Sequence, residues 1–253
     1  LVGVEPVDAE IIAAGKKLKV ISKHGVGIDN IDSAAAGARG ILVKNAPGVN
    51  SDAVADFTFG LLLDAARGIS WGDRALRSGQ WPRIAGESVW GATLGIIGLG
   101  AIGRGMALRA KGFQMRVLAY DVFWNEAFAK ENGIERASLD EIYRESDFIS
   151  IHAALTEETR NMIAMEQLRK MKPNAILVNA ARGSIVNEED LYRALNEGVI
   201  RGAALDAFSQ EPARDLPLFE LDRVVVTPHL GAFSKDAMTR MSLAAVENIV
   251  QNV

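Results

Sequence analysis

The stretch that most constrains the fold is residues 93–121, TLGIIGLGAIGRGMALRAKGFQMRVLAYD. An apolar segment of strand length, Thr93–Ile97, enters a glycine-rich turn, and a helical pattern over Ile102–Lys111 leads to a second apolar segment, Met115–Tyr120. A strand, a helix and a strand joined by such short connections predict a βαβ unit with parallel strands. The chain is therefore expected to build a parallel sheet that is covered by helices.

The same alternation of strand and helix patterns continues toward the end of the chain. It predicts that the sheet extends on both sides of the first βαβ unit, which is the doubly wound arrangement of an α/β domain. Further strands are predicted at Phe148–Ile151, Ala175–Asn179, Ala203–Leu205 and Val224–Thr227, and helices at Glu126–Glu131, Ser138–Glu145, Met165–Met171 and Asn187–Glu197.

A smaller region with its own strand and helix patterns precedes this sheet. A long apolar helix, with Ser51 or Asp52 as a possible N-cap, links the two regions. The final helical segment, Ser234–Asn252, is predicted to pack back on the first region. Two domains follow, one of residues 1–50 and 232–253 and one of residues 51–231. The smaller region is predicted to contain strands at Leu1–Val4, Lys19–Lys23 and Ile41–Asn45 and helices at Asp8–Leu18 and Asp32–Ala38.

Composition narrows the classes of protein to consider. The 253 residues carry a formal charge of −4 with a pI near 5.5, so we expect no nucleic acid and no anionic membrane as partners. The chain has no cysteine and no apolar run of membrane-spanning length, and we expect no metal site. Its first residues, LVGVEPVDAE, lack a Met and the features of a signal peptide. They begin inside a strand pattern, so we expect that the chain lacks its true start.

The glycines of the first βαβ unit indicate a nucleotide site. Gly98, Gly100 and Gly103 form the pattern G-x-G-x-x-G, which permits a tight turn, close approach to a pyrophosphate and close packing of helix on strand. The helix N-terminus presents N–H groups to the anion. Asp121 follows about 20 residues later, where a carboxylate would bind the adenosine ribose and repel a 2′-phosphate. The motif therefore predicts NAD, although an isolated Asp there would more often be an ordinary turn residue.

Three polar residues follow later strands, at the edge where open α/β sheets bind ligands. Arg182 suits a substrate carboxylate, but it could equally be a structural ion-pair partner. Glu211 could be an ordinary solvated loop acid, and a lone histidine such as His229 more often caps a core strand. Beside a nicotinamide nucleotide, the three together supply what hydride exchange with a 2-oxo acid needs. The His delivers a proton and the Glu favours the protonated His.

Seven motifs over nearly the whole chain resemble those of the D-isomer-specific 2-hydroxyacid dehydrogenase family, most closely its phosphoglycerate dehydrogenase-type members. The resemblance implies that Arg182, Glu211 and His229 are catalytic and that the backbone at Val26 and Gly27, together with Arg182, binds the substrate. The motifs are GVGIDNID at 25–32, NAPGVNSDAVAD at 45–56, GLGAIG at 98–103, HAALTEETRNMI at 152–163, NAARGSIV at 179–186, LDAFSQEP at 205–212 and PHLGAFS at 228–234.

The resemblance also implies an architecture. It predicts a Rossmann NAD-binding domain, a smaller flavodoxin-like substrate domain truncated at its N-terminus, and a cytoplasmic homodimer formed mainly through the cofactor domain. His152 is expected to line the cleft without acting in catalysis. The cofactor-binding residues implied are Ala101 and Ile102 at the pyrophosphate beside the three glycines, Asp121 at the adenosine ribose, Ala153 and Thr156 along the cofactor cleft, and Ala180 and Asp206 near the nicotinamide ribose and carboxamide.

The predicted function is NAD-dependent interconversion of a D-2-hydroxy acid and its 2-oxo acid, most like that of D-3-phosphoglycerate dehydrogenase. A glyoxylate or hydroxypyruvate reductase is one alternative, and an NAD(H)-binding corepressor-like protein of the same fold is another. An enzyme acting on formate or phosphite is disfavoured, because formate-type members carry Gln in place of Glu211. Lys23, Arg83 and Trp81 are candidates for holding a phosphate or a substrate side chain, although an exposed Lys or Arg is usually only solvated.

Overall fold

Strands and helices alternate along residues 1–253, all of which a computed structural model describes. The strands form a two-stranded and a seven-stranded sheet, and all pairings in both are parallel. The strands are β1 Val20–Ser22, β2 Leu42–Lys44, β3 Thr93–Ile97, β4 Arg116–Tyr120, β5 Ile134–Arg136, β6 Phe148–Ile151, β7 Ile176–Asn179, β8 Gly202–Leu205 and β9 Val224–Val226. The helices are α1 Ala9–Ala14, α2 Ser33–Ala38, α3 Ser51–Arg67, α4 Ile69–Arg77, α5 Ala101–Lys111, α6 Glu126–Asn132, α7 Leu139–Glu145, α8 Met165–Leu168, α9 Glu188–Asn196 and α10 Lys235–Val250, with short 3₁₀ helices at Gly183–Ile185 and Pro217–Glu220.

The large sheet has the strand order β5-β4-β3-β6-β7-β8-β9. Its central strands are buried on both faces, and alternate side chains enter different cores. Ile149 and Ile151 of β6 pack with α7, α8 and α9, whereas Phe148 packs with α3, α5 and α6. Helices on both faces of a parallel sheet make a doubly wound α/β fold, so the predicted fold class is confirmed.

The chain divides into two compact units, residues 54–231 and residues 1–53 with 232–253. The larger unit holds the seven-stranded sheet. The smaller unit holds the β1–β2 pair, α1, α2 and α10, and the Ser22 hydroxyl donates to the Ala245 carbonyl of α10 at 2.8 Å. Its own apolar core consists of Val7, Ile12, Ile21, Ile31, Ala36 and Ile41.

Local sequence explains where most helices begin. Six helices start after an Asp, Asn or Ser whose side chain accepts a hydrogen bond from an N–H group of the first turn, as N-caps do. Ser138 and Glu141 form a reciprocal capping box at α7. None of the helices is both long and apolar enough to cross a lipid bilayer. The six N-caps are Asp8, Asp32, Asn125, Ser138, Asn187 and Ser234.

The elements differ from the sequence predictions in a few places. Leu1–Val4 forms no strand and only an isolated bridge from Val2 to Lys23, because Val4 is exposed and Pro6 cannot donate to a ladder. Strand β5 was not predicted, since it has three residues and buries only its first. Helix α8 ends at Leu168, three residues before the predicted end. Ser51 and Asp52 lie inside the first turn of α3, so neither is its N-cap as predicted.

Candidate active site

The glycine-rich turn after β3 requires glycine at two positions for packing. Gly98 has φ +97°, and a Cβ there would lie 2.7 Å from the carbonyl carbon of His152. At Gly103 a Cβ would collide with the Gly98 carbonyl oxygen, so any side chain would push α5 away from the turn. At Gly100 a Cβ would meet no protein atom within 4 Å. The space beside Gly100 is thus open to a ligand, as a pyrophosphate cradle requires.

The start of α5 adds donors to this turn. The N–H groups of Gly100, Ala101, Ile102 and Gly103 have no acceptor within the protein. Asp121, at the end of β4, accepts from the Leu99 N–H at 2.5 Å and from the Phe123 N–H at 2.7 Å. Its carboxylate therefore lies against the turn, with lone pairs remaining for ribose hydroxyls. Unpaired amides at a helix N-terminus, open space beside Gly100 and an adjacent carboxylate fit NAD.

The other residues predicted at the cofactor lie along the carboxyl edge of the sheet. The Ala153 backbone packs against the glycine turn, because its nitrogen would lie 2.9 Å from a Cβ at Gly98. Ala180 follows β7 and is partly exposed. Thr156 is exposed, and its hydroxyl lies 3.4 Å from that of Thr159. The structure brings Ala153 to the turn but joins Thr156 only to its own loop.

The three reactive side chains come from the loops that follow β7, β8 and β9. Arg182 follows β7 in a turn organised by buried Asn179, whose side chain donates to the Arg182 carbonyl at 2.8 Å and accepts from the Ala181 N–H at 3.0 Å. Glu211 and His229 form a hydrogen-bonded pair, with Nδ1 2.8 Å from Oε2 and 3.0 Å from Oε1. Both side chains are about two-thirds buried.

The pair sets the protonation of its members. The hydrogen bond that His229 donates to Glu211 raises the pKa of His229 above its ordinary value. Burial and the charge of Arg182 oppose this rise, while the charges of Glu211 and Asp206 add to it. Burial pushes the pKa of Glu211 upward, but bonds from His229 and the Phe208 N–H, with the Arg182 charge, outweigh it and hold that pKa below its usual range. The arrangement therefore favours an imidazolium paired with a carboxylate near neutral pH.

Asp206 fixes the turn that carries His229. Its carboxylate is 1% exposed and accepts from the Thr227 hydroxyl at 2.6 Å, the Leu230 N–H at 2.7 Å and the Gly231 N–H at 2.8 Å. The three donors lie on both sides of His229 in the sequence, so their bonds fix its backbone. Its φ of +54° is uncommon for a residue with a side chain. A strained backbone persists only where its surroundings determine it, and here three bonds to one buried carboxylate do so.

In the smaller unit, the loop after β1 presents two N–H groups. The amides of Val26 and Gly27 have no acceptor within the protein. The loop is held from the opposite side, where the Asn45 side chain donates to the Val26 carbonyl at 2.6 Å and the Ala46 N–H donates to the Gly25 carbonyl at 2.9 Å. A fixed loop with two unpaired donors can bind a carboxylate.

The candidates for phosphate binding lie in unexpected surroundings. Lys23 is only 8% exposed, and its ammonium group donates to the Gly3 carbonyl at 2.5 Å and to Asn30 Oδ1 at 2.7 Å. Arg83 lines a cavity of about 900 Å³ in the larger unit. That cavity also includes the residues that precede β7, β8 and β9, at the edge opposite the reactive loops. Trp81 is exposed.

The two remaining histidines bond to serine hydroxyls and not to a carboxylate. Burial lowers the pKa of His152 to about 3, and its Nε2 lies 2.8 Å from the Ser150 hydroxyl. Its Nδ1 is buried without a partner. His24 lies in the smaller unit, with Nε2 3.1 Å from the Ser242 hydroxyl. The lowered pKa of His152 supports the expectation that this residue does not act in catalysis.

Sequence reasoning missed contacts that support the reactive loops. Asn179 was not named, although it is a polar residue at the end of an apolar strand, and Asp206 was expected at the cofactor but not as the support of the His229 turn. The contact of Glu188 with Ser209 carries no local signal, since the two residues are 21 positions apart. No group of three or more His, Asp or Glu side chains is placed to hold a metal ion.

A doubly wound parallel sheet with a G-x-G-x-x-G turn, an acid after the next strand and an Arg, a Glu and a His at one edge defines a nicotinamide-nucleotide dehydrogenase. Residues 59–231 match the family model described as "D-isomer specific 2-hydroxyacid dehydrogenase, NAD binding domain". The chain belongs to the D-isomer-specific 2-hydroxyacid dehydrogenase family. This match confirms the resemblance and the predicted NAD cofactor.

Known relatives agree with this assignment. A glyoxylate reductase from Korarchaeum cryptofilum is 47% identical over 97% of the chain and 76% of its own length. A D-3-phosphoglycerate dehydrogenase from Methanocaldococcus jannaschii is 45% identical over 96% of the chain but only 47% of its own length. The D-lactate dehydrogenase from Aquifex aeolicus, solved with NAD and lactic acid, superposes with a TM-score of 0.88 at 31% identity, covering 99% of the chain and 84% of that structure. The chain thus spans about half of the second relative.

Proposed function

We propose that this chain interconverts a D-2-hydroxy acid and its 2-oxo acid with NAD as the cofactor. The observation that carries the proposal is the Glu211–His229 pair beside the charge of Arg182, at the carboxyl edge of a sheet that also bears the NAD turn. A proton donor beside a fixed positive charge is what the reduction of a 2-oxo acid needs.

Each reactive group has a distinct role. When bound, NADH supplies the hydride. Because Nδ1 of His229 bonds to Glu211, Nε2 is the nitrogen that donates a proton to the carbonyl oxygen of the substrate. Glu211 orients the ring and stabilises its charged form. The guanidinium of Arg182 offers paired donors and a positive charge to the substrate carboxylate.

The binding residues are part of the same proposal. Unpaired amides at Ala101 and Ile102 bind the pyrophosphate, and Asp121 binds the adenosine ribose. Ala153 and Thr156 line the cofactor cleft, and Ala180 and Asp206 lie near the nicotinamide ribose and carboxamide. The unpaired amides of Val26 and Gly27 bind a carboxylate.

The test is NADH oxidation across a panel of 2-oxo acids, with His229→Ala as the diagnostic variant. We expect the variant to bind NADH normally and to lose about two or more orders of magnitude in turnover, since a positioned general acid contributes that much. A matched control is Lys111→Gln, an exposed charge on α5 away from these groups. A fully active His229→Ala would refute the assignment. NADH binding without turnover on any 2-oxo acid would favour the corepressor-like alternative.

The substrate within this class has two candidates. A phosphoglycerate-type substrate is the prediction from the motifs. The burial of Lys23 favours a short, unphosphorylated 2-oxo acid such as glyoxylate or hydroxypyruvate, because its ammonium group already binds Gly3 and Asn30. The ratio of kcat/KM for phosphohydroxypyruvate to that for glyoxylate separates the two candidates.

A cytoplasmic homodimer remains part of the proposal. The larger unit exposes Ile69, Trp81 and Ile84, each more than 60% accessible, and exposed apolar side chains of this size suit contact with a second copy. Light scattering of the chain and of a Trp81→Ser, Ile84→Ser variant measures the oligomeric state; a monomeric wild type would refute the dimer. Cell fractionation tests the compartment.

A further inference from the structure

The two loops that carry Arg182 and Glu211 are joined by a side chain that belongs to neither reactive group. Glu188, the first residue of α9, accepts from the Ser209 N–H through Oε1 at 2.5 Å and from the Ser209 hydroxyl through Oε2 at 2.8 Å. Both carboxylate oxygens thus bind one residue, and bonds to an ionised acceptor in this paired form are the stronger kind. We call this contact the Glu188–Ser209 latch.

The latch holds the peptide next to the one that Glu211 holds. Glu211 Oε1 accepts from the Phe208 N–H at 3.0 Å, so two consecutive amides of one loop bind two different carboxylates. A Cβ at Gly183 would collide with the backbone of Phe208 and Ser209. The turn directly after Arg182 therefore packs on the same peptides.

We propose that Glu188 is a positioning residue that fixes Glu211, and through Glu211 the His229 ring, for proton transfer. This inference rests on the proposed function, because it assigns His229 as the proton donor. His229 faces Glu211, Asp206 and Arg182, and of these only Glu211 bonds to its ring. Any displacement of the Ser209 peptide moves the backbone on which Glu211 is built, only two residues further along.

A competing account is that Glu188 only stabilises α9. Acidic residues in a first helical turn interact favourably with the helix dipole, and α9 begins with Glu188, Glu189 and Asp190. The variant Glu188→Asp distinguishes the two explanations, because it keeps the negative charge but shortens the side chain by one methylene. The helix account predicts wild-type behaviour for this variant, whereas the latch account predicts a defect.

The experiment compares Glu188→Asp and Ser209→Ala with Glu189→Gln as the matched control. Glu189 is exposed and lies in the same helical turn, outside the latch. We expect the two latch variants to lower kcat by about three- to tenfold with NADH affinity unchanged, because a small misplacement of a reacting group is costly. The double variant Glu188→Asp, Ser209→Ala should have a kcat no lower than that of the single variants, because both substitutions disrupt the same contact.

A second readout does not depend on turnover. The chain has only three histidines, so the His229 ring signal can be followed by NMR during a pH titration and assigned with His229→Gln. Both latch variants should titrate His229 at a lower pH than wild type, since a looser Glu211 stabilises the imidazolium less. Wild-type titration and kcat in Glu188→Asp would overturn the proposal. A wild-type chain inactive on every 2-oxo acid would reject the proposed function, and the titration would still decide on the latch.

Discussion

Replacing Asp206 by Asn changes one atom of a buried acceptor and should destabilise the larger unit. The carboxylate receives three donors, two on Oδ1 from Thr227 and Leu230 and one on Oδ2 from Gly231. The amide orientation that loses least keeps its oxygen at Oδ1 and turns its NH₂ toward the Gly231 N–H. Two donors then face each other in a site that is 1% exposed.

The cost follows from this count of bonds. Two buried donors left without an acceptor cost about 1 kcal/mol each, at the low end of the range for such groups because the turn can relax. The two bonds to a charged acceptor weaken to bonds with a neutral one, at about 0.5–1 kcal/mol each. The sum is about 3 kcal/mol. For a unit of this size, each kcal/mol lowers Tm by about 2–4 °C, so we expect a fall of roughly 6–12 °C.

The assay is thermal unfolding followed by circular dichroism, together with kcat and NADH affinity. Asp222→Asn removes an exposed carboxylate just before β9 and serves as the control, with an expected Tm change below about 1 °C. We also expect kcat to fall by about tenfold or more, because the His229 turn loses part of its support. An Asp206→Asn variant with the Tm and kcat of the wild type would refute this account of the turn.

Three further predictions concern the cofactor and the reacting pair. Asp121→Ala should weaken NADH binding relative to NADPH binding by about tenfold, measured by fluorescence titration; an unchanged ratio removes the case for NAD selectivity. Because the pKa of His229 is raised, 2-oxo acid reduction should fall as pH rises through that pKa, whereas hydroxy acid oxidation should rise over the same range; parallel pH profiles would contradict the role of His229. Gly103→Ala forces a collision with Gly98 and should abolish NADH retention on a dye column, whereas Gly112→Ala should not.

Much of the fold could be predicted because its central strands are buried on both faces. Thr93–Ile97 and Phe148–Ile151 have the predicted bounds, since mainly apolar runs that end at a glycine or a polar residue leave little ambiguity. Strand β5 escaped prediction because it lies at an edge of the sheet and buries only Ile134. Short edge strands depend on their neighbour for pairing more than on their own sequence.

The candidate site also contains residues that the sequence could predict and contacts that it could not. Residues fixed by local backbone needs, such as Gly98 and Gly103, could be recognised from their spacing. Contacts between distant positions could not, because a bond such as that of Glu188 with Ser209 depends on how two loops meet after the sheet has formed. The burial of Lys23 was equally invisible, since a lysine at the end of a strand gives no sign that its ammonium group is enclosed.

The order of the last three strands has a consequence for how the reacting groups are spaced. Arg182, Glu211 and His229 follow β7, β8 and β9, which are immediate neighbours in the sheet. Backbone hydrogen bonds hold adjacent strands about 4.8 Å apart, so the three loops start at regularly spaced points along the edge of the sheet. Mutations in the loops can reorient a side chain but do not change the spacing of the strands from which the loops start. Substitutions in the loops can therefore change which acid is bound while the three loops keep their starting points on the sheet.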